Sequence, residues 1–250
     1  MSRQKLNEPP KNEYYGEVRA KTDTSADIYF YGDIVSTSWW AWDDEDQYPE
    51  KVRQLLNDVK DVETLNIYIN SGGGSCFAGM AIFNMLSRHK AYKNVYVDGL
   101  AASMASVIAL VGDRIVVPAN AWLMIHQPWG LAVGNADDME KEAGVLRSIE
   151  EGMLNTYCTK TKPGISRDAI YDMMKAETWF TGEEAAKYFN IETTAASNAV
   201  ASTSEHFEKY RNMPHAIMAD LPKTQPPQPS SGAAIAKAKL KLNISRRTQG

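Results

Sequence analysis

The 250-residue chain is 44% hydrophobic and 23% charged, the balance of a soluble globular protein with one large core or two small ones. A formal net charge of -4 argues against a nucleic-acid-binding role for the whole protein, because phosphate binding leaves a basic footprint. Cys76 and Cys158 are the only cysteines and read as small buried thiols in a reducing cytoplasm, so neither a disulfide framework nor a metal site is expected.

The leader, residues 1–26, is polar and charged, has no apolar signal region, and is expected to be mobile. The longest apolar stretch, Leu100 to Val111, is too short to span a bilayer and contains two serines, which predicts a soluble, unexported protein. A main domain is expected over residues 27–195. Its first strand runs from Asp27 to Ile34 and ends at Gly32-Asp33. The segment STSWWAWDDEDQYPE follows, whose tryptophans suit either a partner-binding loop or, more commonly, aromatics capping a helix packed on a sheet. Pro49 opens a helix through Lys60 that gathers Val52, Leu55, Leu56 and Val59 on one face.

From Thr64 a strand–loop–helix alternation sets in. Leu65 to Ile69 is a strand, Ser71 to Ser75 a glycine-rich loop, and Phe77 to His89 a helix with Met80, Ile82, Phe83 and Leu86 turned inward. Val95 to Val97 is the next strand and Ala102 to Val111 the next helix, with a further strand over Trp122 to Ile125. Strands joined by helices imply an α/β fold with a parallel sheet and right-handed crossovers, and ligand sites in such sheets lie at the carboxyl ends of strands.

A long helix is expected over roughly Ala136 to Thr161, capped by Asn135 or Asp138 and stopped at Pro163-Gly164. A helix of that length leaving a compact sheet needs a partner surface, which suggests an oligomer. Ser166 to Ala176 forms another helix, and Thr181 with Glu184 is a capping-box signature for the last one. Beyond it lie a polar extension (196–220), the proline-rich linker LPKTQPPQPSSG (221–232) and a tail (233–250). The tail carries Lys237, Lys239, Lys241, Arg246 and Arg247 without an acid. It reads as a solvated end, with nucleic acid or an acidic partner as the alternative.

The chemistry gathers at two predicted strand ends. Ser103 lies among small residues where a helix opens, so its hydroxyl can be exposed to a substrate backbone, although a serine there could also simply cap the helix. A serine needs a base, and the chain has four histidines. His89 ends an amphipathic helix as a surface residue would, and His206 and His215 lie in the polar C-terminal region. Only His126 sits at an apolar strand end, before Gln-Pro-Trp-Gly, and a structural histidine remains the alternative there. Gly72, Gly73 and Gly74 can bring backbone amides close to an oxyanion. An orienting acid would come from Asp168, Asp172 or Glu177. Glu177 lies where a helix ends and the chain re-enters the core, whereas Asp168 looks like a first-turn helix acid.

Three ordered motifs, IYINSGGGSCFAGMAIFNML, VDGLAASMASVIALVGDRIVVPANAWLMIHQPWG and AETWFTGEEA, resemble the proteolytic subunit of the Clp protease. They are closer still to the ClpP-related head maturation proteases of tailed phages and prophages, over roughly Asp27 to Ile191. The resemblance implies a ClpP/crotonase-like α/β fold of repeated β-β-α and βαβ units with a long protruding helix. It also implies a homo-oligomeric ring enclosing a proteolytic chamber, in the cytoplasm. By the same resemblance Ser103 takes the nucleophile's place, His126 the base's, Gly74 and Met104 the oxyanion amides' places, and Glu177 that of the triad acid. Two positions depart from the housekeeping enzymes: Glu177 replaces aspartate and Gly72 replaces proline. The implied substrate is polypeptide, capsid or scaffold precursor in a phage setting. Any Clp ATPase would be a separate protein, since the chain has no Walker-type phosphate loop and no cofactor is expected. Two rival readings keep the fold, one as a crotonase-like acyl-CoA enzyme and one as a non-catalytic ring or capsid-associated subunit.

Overall fold

In the computed structural model, residues 18–22, 24–41, 43–196, 204, 206–215 and 217 are described. The order of elements is β1 (Val18–Lys21), β2 (Ser25–Tyr31), α1 (Pro49–Asp58), β3 (Thr64–Ser71), α2 (Cys76–Arg88) and β4 (Tyr92–Ala102). There follow α3 (Met104–Ala109), β5 (Arg114–Val116), β6 (Trp122–Ile125), α4 (Ala136–Cys158), α5 (Arg167–Lys175), β7 (Thr178–Thr181) and α6 (Gly182–Tyr188). One sheet has the order β1-β2-β3-β4-β6-β7, with β5 pairing beside β4. Its central strands β2, β3, β4 and β6 are parallel, and the flanking β1 and β7 are antiparallel.

Alternation along the parallel strands divides the sheet. Ile28, Ile67 and Val95 lie in register on one face and join the buried cluster with Val52, Leu55, Leu56, Ile82, Leu86 and Ile108 from α1, α2 and α3. On the other face Tyr29, Tyr68 and Tyr96 stack across three strands, with ring centroids 4.6 and 5.2 Å apart. Such cross-strand aromatic ladders fix register, since a one-residue slip would send every ring into the core.

Several expectations change in contact with the structure. Val18–Lys21 pairs with β2 although it falls in the stretch expected to be a mobile leader. That pairing is made by backbone groups at a sheet edge, for which a four-residue segment carries no side-chain signature. β4 continues to Ala102, well past Val97, and α3 is correspondingly shorter than the helix read over Ala102 to Val111. Leu100, Ala101 and Ala102 are held as strand by pairing with Trp122, Leu123 and Met124, so tertiary pairing overrides alanine's helical preference. β5 was absent from the sequence reading.

Trp39 and Trp40 do not cap a packed helix: they lie exposed in a short 3-10 turn, Ser38–Trp40, Trp39 at 83%. Of the acidic residues behind that turn, Asp46 alone is buried, and it accepts hydrogen bonds from the amides of Asp33 (2.9 Å) and Asp43 (3.3 Å), while Asp43 and Asp44 stay exposed. Trp42, the leader before Val18, the linker at 221–232 and the basic tail at 233–250 lie outside the described residues.

The long helix forms as expected, with a complete capping box between Asn135 and Asp138. Its buried residues, Met153, Leu154, Thr156 and Tyr157, all lie in its last two turns. Its first residues, 136–141, are exposed, while Leu146 and Ile149 further along line the cleft beside Ser103 and His126. Among the described residues no helix is long and apolar enough to cross a membrane.

Candidate active site

β4 and β6 run parallel and end side by side, which brings together residues 23 apart in sequence. At the end of β4, Ser103 turns the chain into α3 with φ 55, an unusual conformation for a residue with a side chain. The surroundings hold it there. Its amide donates to the Met124 carbonyl (3.0 Å), and its own carbonyl accepts from the Ser106 hydroxyl (2.6 Å), which in turn is 2.7 Å from the buried Tyr157 hydroxyl. Ser103 does not cap α3 through its side chain. Its Oγ instead lies 2.7 Å from Nε2 of His126, which follows directly on β6. Both residues are buried, at 6% and 7% exposure.

Burial is also the main reason that the His126 imidazole is held down to about 4 from its ordinary 6.5. The Glu177 charge opposes that effect, while Arg211 and His206 add to it. The ring is therefore neutral at pH 7, and in the tautomer protonated at Nδ1 its Nε2 accepts the Ser103 proton.

The glycine loop lies against this pair. Gly73 and Gly74 have φ 93 and 144, conformations that exclude ordinary side chains, and a Cβ on Gly73 would come within 2.8 Å of the Ser103 Cβ and 3.1 Å of the Met104 amide nitrogen. Ile34 anchors the loop by donating its amide to the Gly73 carbonyl (2.8 Å) and accepting from the Ser75 amide (2.7 Å). Those two bonds leave the Gly74 amide outside the pairing, and Gly74 lines the same cleft as Ser103 and His126. Met104 opens α3, where amides have no partner within the helix. The cleft measures about 500 Å3 and is walled also by Trp40, Trp129, Leu146 and Tyr210.

The three acids separate clearly. Asp168 and Asp172 are exposed on α5. Glu177 is 9% exposed, sits at φ 53 between α5 and β7, and is near enough for its charge to act on His126. Its carboxylate accepts hydrogen bonds from the Asn212 amide (2.8 Å), the Arg211 amide (3.0 Å) and the Trp179 indole (3.3 Å). Arg211 and Asn212 belong to the polar extension, from which the sequence reading expected nothing at the site. His206, set aside as one of the histidines of that extension, lines the cleft with Lys209 and Tyr210. The one available signal was the Phe207–Tyr210 aromatic pair in an otherwise polar run. Among the described residues no cluster of histidine, cysteine and acidic side chains could hold a metal ion.

Comparison with known proteins gives a consistent family. Two proteins described as ATP-dependent Clp protease proteolytic subunit, from two strains of Bacteroides fragilis, are each 32% identical to this chain over 140 residues, which is 55% of its length. The match spans 66% of one relative and 62% of the other, a little under two thirds of their lengths. The family model described as Clp protease matches residues 43–195, more than half of the chain and the stretch that holds the glycine loop, Ser103, His126 and Glu177. On that match the chain belongs to the Clp protease family.

Proposed function

We propose that the chain is a serine endopeptidase in which His126 takes the Ser103 proton as Oγ attacks a peptide carbonyl. The Gly74 and Met104 amides hold the oxyanion, the protonated imidazole returns its proton to the departing amine, and water hydrolyses the acyl-enzyme by the same route. Glu177 supports the imidazolium through its charge. The single observation that carries this reading is the 2.7 Å contact between His126 Nε2 and Ser103 Oγ, both of which line a cleft of about 500 Å3. A crotonase-like role would leave that contact without a purpose. The test is fluorophosphonate labelling of the wild type and of Ser103→Ala. Labelling of the wild type alone is expected, and equal labelling of both would overturn the proposal.

The working unit in this proposal is a homo-oligomeric ring in the cytoplasm that encloses the cleft. The exposed first residues of α4 and the exposed Trp129, Leu131, Val133 and Met139 around its start support such a contact surface. The substrate is polypeptide, and the resemblance of the three motifs to phage head maturation proteases favours capsid or scaffold precursor, with any Clp ATPase as a separate protein. Co-expression with a major capsid protein and its scaffold distinguishes the two settings: cleavage without an ATPase supports the maturation role, and strict dependence on an unfoldase overturns it.

A further inference from the structure

Ser204 and His206–Asn212 lie beyond the family-matched residues 43–195, yet this stretch touches each working part of the site. Ser204 Oγ donates to Asp33 Oδ1 (2.5 Å) and fills the space that a side chain on Gly72 would need. Phe207 is buried against Leu100, Ala102 and Met124, the ends of the two strands that carry Ser103 and His126. The Tyr210 hydroxyl donates to the Gly72 carbonyl and has the Ser103 side chain within hydrogen-bonding reach. Its ring meets the His126 imidazole edge-on, with centroids 5.5 Å apart and planes at 87°, and is braced from behind by Trp179 at 5.6 Å. The next two amides, of Arg211 and Asn212, are the ones that hold the Glu177 carboxylate.

A segment lying on an active site can either plug it or complete it. A plug would displace the reacting groups or fill the space in front of them. Here the Ser103–His126 contact is intact, and the cleft remains open with Tyr210, His206 and Lys209 forming one wall. The contacts also fall on the supports of the chemistry: a carbonyl of the glycine loop, the ring of the histidine and the carboxylate beside it.

We propose that Ser204 and residues 206–212 complete the acyl-transfer site from outside the family core, with Tyr210 as a positioning residue that fixes the His126 ring and the glycine loop. The inference rests on the serine-peptidase reading above. The Tyr210 ring restricts rotation of the imidazole and keeps water from it, while the hydroxyl fixes the loop that presents the Gly74 amide. Positioning of this kind acts on the transition state, where small displacements of base or oxyanion donor cost rate.

The experiment compares full-length wild type, Tyr210→Phe and Tyr210→Ala by the rate of fluorophosphonate labelling, by its pH profile and by the His126 titration followed by NMR. Tyr210→Phe keeps the ring and loses only the hydroxyl bond, so labelling should slow by about tenfold, the worth of one hydrogen bond in a rate, with an unmoved acid limb. Tyr210→Ala uncovers the imidazole. Its labelling should slow further, and the His126 titration should rise from about 4 toward 6.5, because burial is the main cause of its depression while Glu177, Arg211 and His206 keep their places. Wild-type rates in both variants, or faster labelling, would overturn the proposal, the latter by making the segment a plug. An unmoved His126 titration in Tyr210→Ala would overturn it as well, and this readout does not depend on labelling. A wild type that never labels refutes the peptidase reading first and removes the basis of this one with it.

Discussion

The neutral, buried imidazole of His126 has a thermodynamic signature that needs no substrate. In the native chain it titrates near 4, and in the unfolded chain near the ordinary 6.5. Between those values the unfolded state binds a proton that the native state refuses, so stability is complete above pH 6.5 and is lost as pH falls toward 4. At about 1.4 kcal/mol per pH unit, the full gap amounts to about 3.5 kcal/mol, a sizeable share of the roughly 5–15 kcal/mol that typically holds a domain together. The assay is urea unfolding at pH 7.5 and pH 4.5 of wild type and of His126→Gln, which cannot titrate there. Other groups contribute equally to both proteins and cancel in the comparison. The wild type should lose about 2.5 kcal/mol more than the variant over that interval, and fluorophosphonate labelling should keep its acid limb near 4. Parallel stability curves for the two proteins, or an acid limb at or above 6.5, would refute the claim that burial sets the state of this base.

Two further outcomes test the supports on either side of the reacting pair. Ser106→Ala removes the hydroxyl that bonds the Ser103 carbonyl and leaves the buried Tyr157 hydroxyl without that partner, so unfolding free energy should fall by about 1–3 kcal/mol in urea titrations, with slower labelling as the turn at φ 55 loosens. Glu177→Gln should slow labelling by about tenfold or more through loss of the charge that favours the protonated imidazole, whereas Asp172→Asn, on the exposed side of α5, should label at the wild-type rate; the reverse pattern would transfer the acid's role to Asp172.

What could be read from the sequence follows the range over which each feature is determined. The helices announced themselves because their signals are local. Pro49, the Asn135–Asp138 box and the Thr181–Glu184 box each lie within a turn of the element they start, and α1, α4 and α6 begin where those residues say. The β6 strand was legible to the residue because apolar side chains fill a short run ended by His126. Ser103 and His126 could be nominated from residue type and strand-end position. Their contact could not, since it depends on β4 and β6 being neighbours, a pairing made across an intervening helix and strand. The extra length of β4 was hidden for the same reason. An alanine-rich run looks helical until a partner strand supplies the other half of its hydrogen bonds.

The C-terminal wall of the cleft lay furthest from sight, and beyond the Phe207–Tyr210 aromatic pair the sequence held only an indirect trace of it, at a distant position. Residue 72 is glycine where the resemblance leads one to expect proline, and taken locally that change only loosens the loop. In the fold its consequence is spatial, because Ser204 occupies the room that a side chain at 72 would take. The two positions are 132 residues apart in the printed sequence and share no periodicity, so neither predicts the other. A docked segment of this kind is specified by the surface it covers: Phe207 enters the core beside Met124, Tyr210 reaches the Gly72 carbonyl, and two backbone amides meet Glu177. Amides belong to every residue except proline, so the bonds to Glu177 leave no mark on composition. The carboxylate best placed to act on His126 is thus held at its two shortest bonds by groups that carry no sequence identity, with the Trp179 indole as a third, longer donor. It follows that substitution of the Arg211 side chain should disturb Glu177 far less than a change that moves the backbone at 211 and 212, whereas Asn212→Ala also removes the side-chain bond to the Ala176 carbonyl (2.8 Å) and should loosen the turn that carries Glu177.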